Sequence, residues 1–169
     1  MRRVAALVTT FAMVAATASL FAQAKPNFAG TWVREAPAAP ATPPAGGGGG
    51  RGGGGGGGAW GAEPTITQTA TELSVTYSTG REGAAPVKLV YKLDGTESVN
   101  QVMGREGAAP QPSKAVWTGD KLVITTTLGN GVRTQTVSLV GGKLTIESVQ
   151  PGREGAPGTP TTATYTKKG

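Results

Sequence analysis

A heptapeptide that returns on a 24-residue grid constrains the fold of this chain more than any other feature. Gly-Arg-Glu-Gly-Ala-Ala-Pro occupies residues 80–86 and again 104–110, and a near copy, Gly-Arg-Glu-Gly-Ala-Pro-Gly, follows two periods later at 152–158. The skipped slot holds another turn, Gly129-Asn130-Gly131. Midway between these loops lie the shorter breaks Asp94-Gly95, Gly119-Asp120 and Gly141-Gly142. Long turn, strand, tight turn and strand in repetition specify an up-and-down antiparallel meander.

The segments between the breaks alternate with a period of two. Leu73, Val75 and Tyr77 share one face against Glu72, Ser74 and Thr76; Val87, Leu89, Tyr91 and Leu93 alternate with Lys88 and Lys92. Leu122 and Ile124 alternate with Lys121, Val123 and Thr125, as Leu144 and Ile146 do with Lys143, Thr145 and Glu147. Such strands bury one face and wet the other. No window of the chain after residue 24 has helical spacing, and the abundant Thr suits strands through its β-branch. The reading predicts about ten strands, at 28–35, 63–70, 72–79, 87–93, 96–103, 113–118, 121–128, 132–140, 143–150 and 160–167.

Parity then sorts the connections. Alternate connections of a meander lie at opposite ends of the sheet. The loops 36–62, 80–86, 104–112, 129–131 and 151–159 should therefore share one end, and the tight turns near 70–71, 94–95, 119–120 and 141–142 the other. A sheet of this size avoids exposed edges most readily by closing into a barrel. The expected fold class is all-β: an up-and-down meander of about ten strands closed into a β-barrel.

Residues 1–24 read as a targeting segment. Arg2 and Arg3 precede the uncharged apolar stretch Val4–Phe21, and Ala22-Gln23-Ala24 has the small-x-small form of a cleavage site, so the mature chain should begin at Lys25. The other reading is a retained transmembrane anchor; the Ala- and Thr-rich composition and the cleavage signature favour removal, leaving no membrane span. With no Cys in the chain, the expected location is periplasmic or secreted. The expected organisation is a signal peptide at 1–24 and one barrel domain at 25–169. Inside that domain, Ala36–Ala45 is rich in Ala and Pro, and Gly46–Gly58 is Gly interrupted only by Arg51. A stretch with so few apolar side chains to bury should form a disordered insertion after the first strand, within a loop spanning 36–62.

Composition excludes several chemistries. The absence of His and Cys rules out the usual zinc sets, Ser-His and Cys-His nucleophile pairs and c-type haem attachment. No spacing fixes two acids across a cleft, so no catalytic residues, metal or cofactor are assigned and a non-enzyme is expected. Without Arg2 and Arg3, the 16 basic residues fall to 14 against 10 acids, a net charge of +4 spread too thinly for a nucleic-acid footprint. The Gly tract lacks the Lys, Ser/Thr and flanking helix of a phosphate-binding loop.

The first strand opens with Phe28-Ala29-Gly30-Thr31-Trp32, in which Gly30 permits close backbone approach and Trp32 supplies a large apolar plug for one end of a barrel. This Gly-x-Trp element resembles the N-terminal signature of the calycin group, the lipocalins and fatty-acid-binding proteins. It is similar to small exported bacterial lipocalin-like proteins, as is Trp117-Thr118-Gly119-Asp120-Lys121-Leu122 with their Trp-x-Gly-Asp-x-Leu. Together the two stretches cover about a dozen residues. The resemblance implies a lipocalin-like barrel with a closed end near Trp32 and an open mouth. Two departures stand out. The Thr-Asp-Tyr element of the second lipocalin motif is missing, and Ala163-Thr164-Tyr165 stands where fatty-acid-binding proteins carry Arg-x-Tyr. Tyr165 is therefore read as a packing residue.

All six Arg after residue 24, namely Arg34, Arg51, Arg81, Arg105, Arg133 and Arg153, fall at the end predicted to be open. Arg81, Arg105, Arg133 and Arg153, with Trp60 as a lid, are the candidate contacts for an anionic ligand, since guanidinium forks match carboxylates and phosphates. The same residues also read as solvated turns, because Glu35, Glu63, Glu82, Glu106 and Glu154 nearly cancel them; Trp60 likewise reads as an anchor for its loop. Two functions stay open: an exported barrel holding a small apolar or amphipathic molecule, and a structural or envelope-interaction module without ligand.

Overall fold

The computed structural model describes residues 25–36, 60–80, 82–103, 107–152 and 158–169. The expected signal segment, the Gly tract, and Arg51, Arg81, Arg105 and Arg153 lie outside them. Ten strands follow in chain order: β1 Gly30–Arg34, β2 Thr65–Gln68, β3 Glu72–Tyr77, β4 Val87–Lys92, β5 Ser98–Met103, β6 Ala108–Thr118, β7 Lys121–Leu128, β8 Gly131–Val140, β9 Lys143–Val149 and β10 Thr161–Lys167. No helix occurs among the described residues. Every pairing is antiparallel, and the spatial order is β4-β3-β2-β1-β10-β9-β8-β7-β6-β5. The meander is intact, and β1 is clasped between β2 and β10. Trp32 faces Lys167, Arg34 faces Tyr165, and Gly30 faces Ile66.

The tight turns carry local devices that fit their sequences. The Thr69 hydroxyl accepts from the N–H groups of Thr71 and Glu72, and the Asp94 carboxylate accepts from the N–H and hydroxyl of Thr96. Gly141 and Gly142 both have positive φ, 58° and 78°, which a two-residue hairpin of the type I′ family demands and other L-residues resist.

The sheet curls around one core. Leu73, Val75, Leu89, Tyr91, Leu122, Ile124, Val137, Leu144, Ile146 and Tyr165 are buried, each on the inward face that alternation assigns. Phe28, Trp32 and Trp117 fill the end with the short turns. Phe28 stacks on Trp117 with ring centroids 5.6 Å apart, and its N–H donates to Gln68 Oε1 beside the β2–β3 turn. The Trp32 indole N–H donates to the Phe28 carbonyl, and Lys167 Nζ lies 5.8 Å from the Trp32 ring centre. Gly30, at φ 139°, is crossed by the Lys167 stem: a Cβ there would sit 2.7 Å from Lys167 Cε. Gly30 and Trp32 both lie in β1, with Trp32 buried.

Two details differ from expectation. The barrel is nearly rather than fully closed, because β4 and β5 are joined by side chains instead of a main-chain ladder. Asn100 Oδ1 accepts from the Val90 N–H at 2.7 Å, Asn100 Nδ2 donates to the Val90 carbonyl at 3.1 Å, and Ser98 Oγ accepts from the Lys92 N–H at 2.9 Å. Strand β6 also begins at Ala108, inside the predicted 104–112 loop. Pro110 and Pro112 are tolerated because this part of β6 pairs with β5 only, β7 joining from Ser113 onward.

Candidate functional site

Toward the end with the long connections, inward side chains from six segments surround a cavity of about 60 Å³. It is lined by Trp60, Tyr77 from β3, Leu89 from β4, Val102 from β5, Gln111 from β6, and Arg133 and Gln135 from β8. Parity explains the convergence. Arg133, Gln135 and Val137 are alternate residues of β8 on the inward face, as Leu73, Val75 and Tyr77 are on β3 and Leu89 and Tyr91 on β4. The lining is half apolar and half polar, an unusual mixture for a core without a purpose for its polar groups.

Arg133 is the most consequential polar group. Its Nε is buried and has no hydrogen-bond partner, and its charge acts on both Tyr77 and Tyr91. Burial raises the Tyr77 phenol above its usual value and pushes Tyr91 up to about 12, while the Arg133 guanidinium works in the opposite direction on each. Arg34, paired with Tyr165 across the β1–β10 ladder, does the same to Tyr165, whose phenol is likewise raised by burial. All three phenols are therefore neutral hydrogen-bonding groups near neutral pH. Among the described residues the ion pairs are Lys143 with Glu35 and Lys168 with Glu63, and neither guanidinium takes part in one.

Trp60 belongs to no strand, yet it is 2 % exposed. Its backbone N–H donates to the Tyr165 hydroxyl at 3.1 Å, and the same hydroxyl donates to the Gly61 carbonyl at 3.2 Å. Its indole Nε1 is buried and closes no hydrogen bond of regular geometry; the Tyr91 hydroxyl is the polar atom it approaches. The indole is thus buried on the lining of the cavity.

Of the residues singled out from sequence, the structure brings Arg133 and Trp60 together on one cavity, and it puts Gly30 and Trp32 on the first strand at the opposite end. Arg81, Arg105 and Arg153 are outside the described residues. Sequence reasoning passed over Gln111 and Gln135 as site residues and read Tyr77 and Tyr91 only as strand-face residues. Extending alternation along 132–140 from Val137 would have found Gln135; Gln111 sat in a stretch read as loop. Among the described residues no cluster of three or more acidic side chains could hold a metal ion, and no helix is long and apolar enough to cross a membrane.

No family model matches the chain, and no curated protein sequence matches it significantly. Among solved structures it is similar to zebrafish ileal bile acid-binding protein complexed with cholic acid, at 22 % identity over 63 % of this chain and 72 % of that one, with a TM-score of 0.48. It is also similar to the fluorescent protein UnaG, at 17 % identity over 63 % of this chain and 72 % of that one, again with a TM-score of 0.48.

Proposed function

We propose that this chain is an exported, non-catalytic barrel of lipocalin-like type that holds a small amphipathic molecule. The apolar body of the ligand lies against Leu89, Val102 and the Trp60 region, and its anionic end meets Arg133. One observation carries the reading: a guanidinium Nε buried without a partner, among phenols and amides, on the wall of an internal cavity. Arg133 is half-buried as a residue, but its enclosed Nε–H lacks an acceptor, and a carboxylate or sulfonate that enters the cavity would supply one. Export rests on the charge and apolar pattern of residues 1–24, and the periplasm or the exterior is the proposed location.

A second reading, a structural or envelope-interaction module without ligand, is favoured by a specific observation. The cavity of about 60 Å³ falls well short of the roughly 300–1,000 Å³ of ordinary ligand pockets.

Binding of dodecanoate and anilinonaphthalene sulfonate, by calorimetry and fluorescence, separates the two. Arg133→Gln is expected to weaken dodecanoate binding by about tenfold or more and to flatten its salt dependence. Failure of the folded wild-type protein to bind either probe would establish the structural reading instead.

A further inference from the structure

Among the described residues that line the small cavity, Trp60 is the one that belongs to no strand. We propose that Trp60 is a built-in occupant of the ligand site, and that the natural ligand is a planar aromatic acid that takes the place of its indole. The inference rests on the binding reading above and names the ligand class and the means by which the empty site is kept closed.

The two buried Trp residues at opposite ends of the barrel make the contrast. Trp32 is integral to the sheet: it lies within β1, its backbone N–H donates to the Pro64 carbonyl, it pairs with Lys167 on the other side, and its indole N–H is satisfied by Phe28. Trp60 is held differently. It lies outside every strand, and among the described residues the Tyr165 hydroxyl bonds Trp60 itself and its neighbour Gly61, while β1 holds the chain from Ala62 onward. The Trp60 indole N–H is buried with the Tyr91 hydroxyl as the polar atom it approaches, and Trp117 of β6 leaves its indole N–H unpartnered in the same way. A side chain so deeply buried and so lightly tied is suited to withdrawal, because few bonds must break for it to leave.

The shape of the vacated space follows from the occupant. The indole approaches the Tyr91 hydroxyl, and with Tyr77 it borders the cavity of about 60 Å³ that leads to Arg133, Gln135 and Gln111. About 150 Å³ of apolar space is enough to bind benzene, and the indole's own volume added to the present cavity supports a ligand of two fused rings. The guanidinium adds the requirement for an anion, reached from the ring edge. The resident indole and the entering ring cannot coexist, so the free protein occludes its own site. The apparent affinity is then reduced by the fraction of molecules in which Trp60 is seated.

Indole and indoleacetate are the probes, and the full chain is the protein. Trp60→Ala is expected to bind indole at least tenfold more tightly than wild type, and indole should raise the melting temperature of the variant while leaving that of wild type nearly unchanged. Indoleacetate should bind the variant more tightly than indole does, and adding Arg133→Gln should abolish that advantage. In the wild-type protein carrying fluorotryptophan, the Trp60 resonance, identified by its loss in Trp60→Phe, should move to a solvent-exposed position when indoleacetate saturates the site, and the Trp32 resonance should stay. A folded Trp60→Ala variant with no gain for indole would overturn the proposal. Should that variant not fold even with indole, an unmoved Trp60 resonance at saturation would overturn it equally. Wild type that binds dodecanoate with Trp60 unmoved sinks this inference and leaves the binding reading standing; folded wild type and variant that bind no probe sink both.

Discussion

Tyr91 shows how a single phenol reports the character of the interior. It is 1 % exposed, and burial lifts it from the usual 10.0 to about 12, more than Arg133 offsets. A phenol whose proton is held more tightly in the folded chain than in the unfolded one stabilises the fold in full below pH 10. That contribution is lost progressively as pH rises from about 10 to about 12, and it amounts to roughly 2–3 kcal/mol. Urea unfolding followed across this alkaline range should show that loss, and Tyr91→Phe should remove most of it; an unchanged slope in the Phe variant would assign the pH dependence elsewhere. The neighbouring Tyr165 was legible from sequence as a packing residue, and it is one. Its hydroxyl was not legible, because the groups it ties together, Trp60 and Gly61, lie more than a hundred positions away along the chain. Alternation tells which way a side chain points, and says nothing about what arrives from the other side.

Among the elements, the turns and strand faces were the most legible, because each is dictated locally by glycines, Thr69, Asp94 and a period of two. The heptapeptide shows where local dictation ends. In its first copy Ala84-Ala85-Pro86 precedes β4 as coil, whereas in its second Ala108-Ala109-Pro110 opens β6 and pairs with Met103, Val102 and Gln101. Identical residues adopt different structures because β5 offers the second copy a partner, and pairing outweighs a weak intrinsic preference. The seam between β4 and β5 was equally hidden from sequence. There the Asn100 amide presents one donor and one acceptor to Val90, reproducing what a neighbouring backbone would offer, and it is 6 % exposed. Asn100→Leu keeps the approximate volume and leaves the Val90 N–H and carbonyl without partners, at an expected cost of about 1–3 kcal/mol. Hydrogen exchange should localise the damage: the Val90 amide should lose protection first, with Lys92, held by Ser98, retaining its own. Uniform loss of protection across the sheet would show that the seam has no separate opening.

For the whole molecule, closure of the sheet depends on a short segment far from its partners in sequence. In the sheet β1 joins the run β2–β3–β4 to the run β10 back to β5, and the two outer strands, β4 and β5, meet only through the Asn100 and Ser98 side chains. The parity argument anticipated the meander, and the Gly-x-Trp element marked the first strand, but neither could show how much of the core that strand brings. Residues 25–35 carry Phe28 and Trp32 into the closed end. Their backbone bonds run from Trp32 to Pro64, from Arg34 to Ala62 and from Glu35 to Thr164, and Thr31 accepts from Lys168. Lys143 adds an ion pair to Glu35. The composition of the stretch that links this segment to Trp60, Ala/Pro-rich and then Gly-rich, offers almost no apolar surface to the core. The covalent connection should therefore be dispensable while the segment itself is not. A chain of residues 60–169 is expected to lack the near-ultraviolet signature of packed Trp and Tyr when alone, and to gain it when a synthetic peptide of residues 25–35 is added. Truncating a buried Trp costs about 3–5 kcal/mol, so a peptide carrying Trp32→Ala should bind at least a hundredfold more weakly. Wild-type peptide that fails to restore the signal, with the intact chain folding normally, would show that the linking stretch contributes packing that its composition conceals.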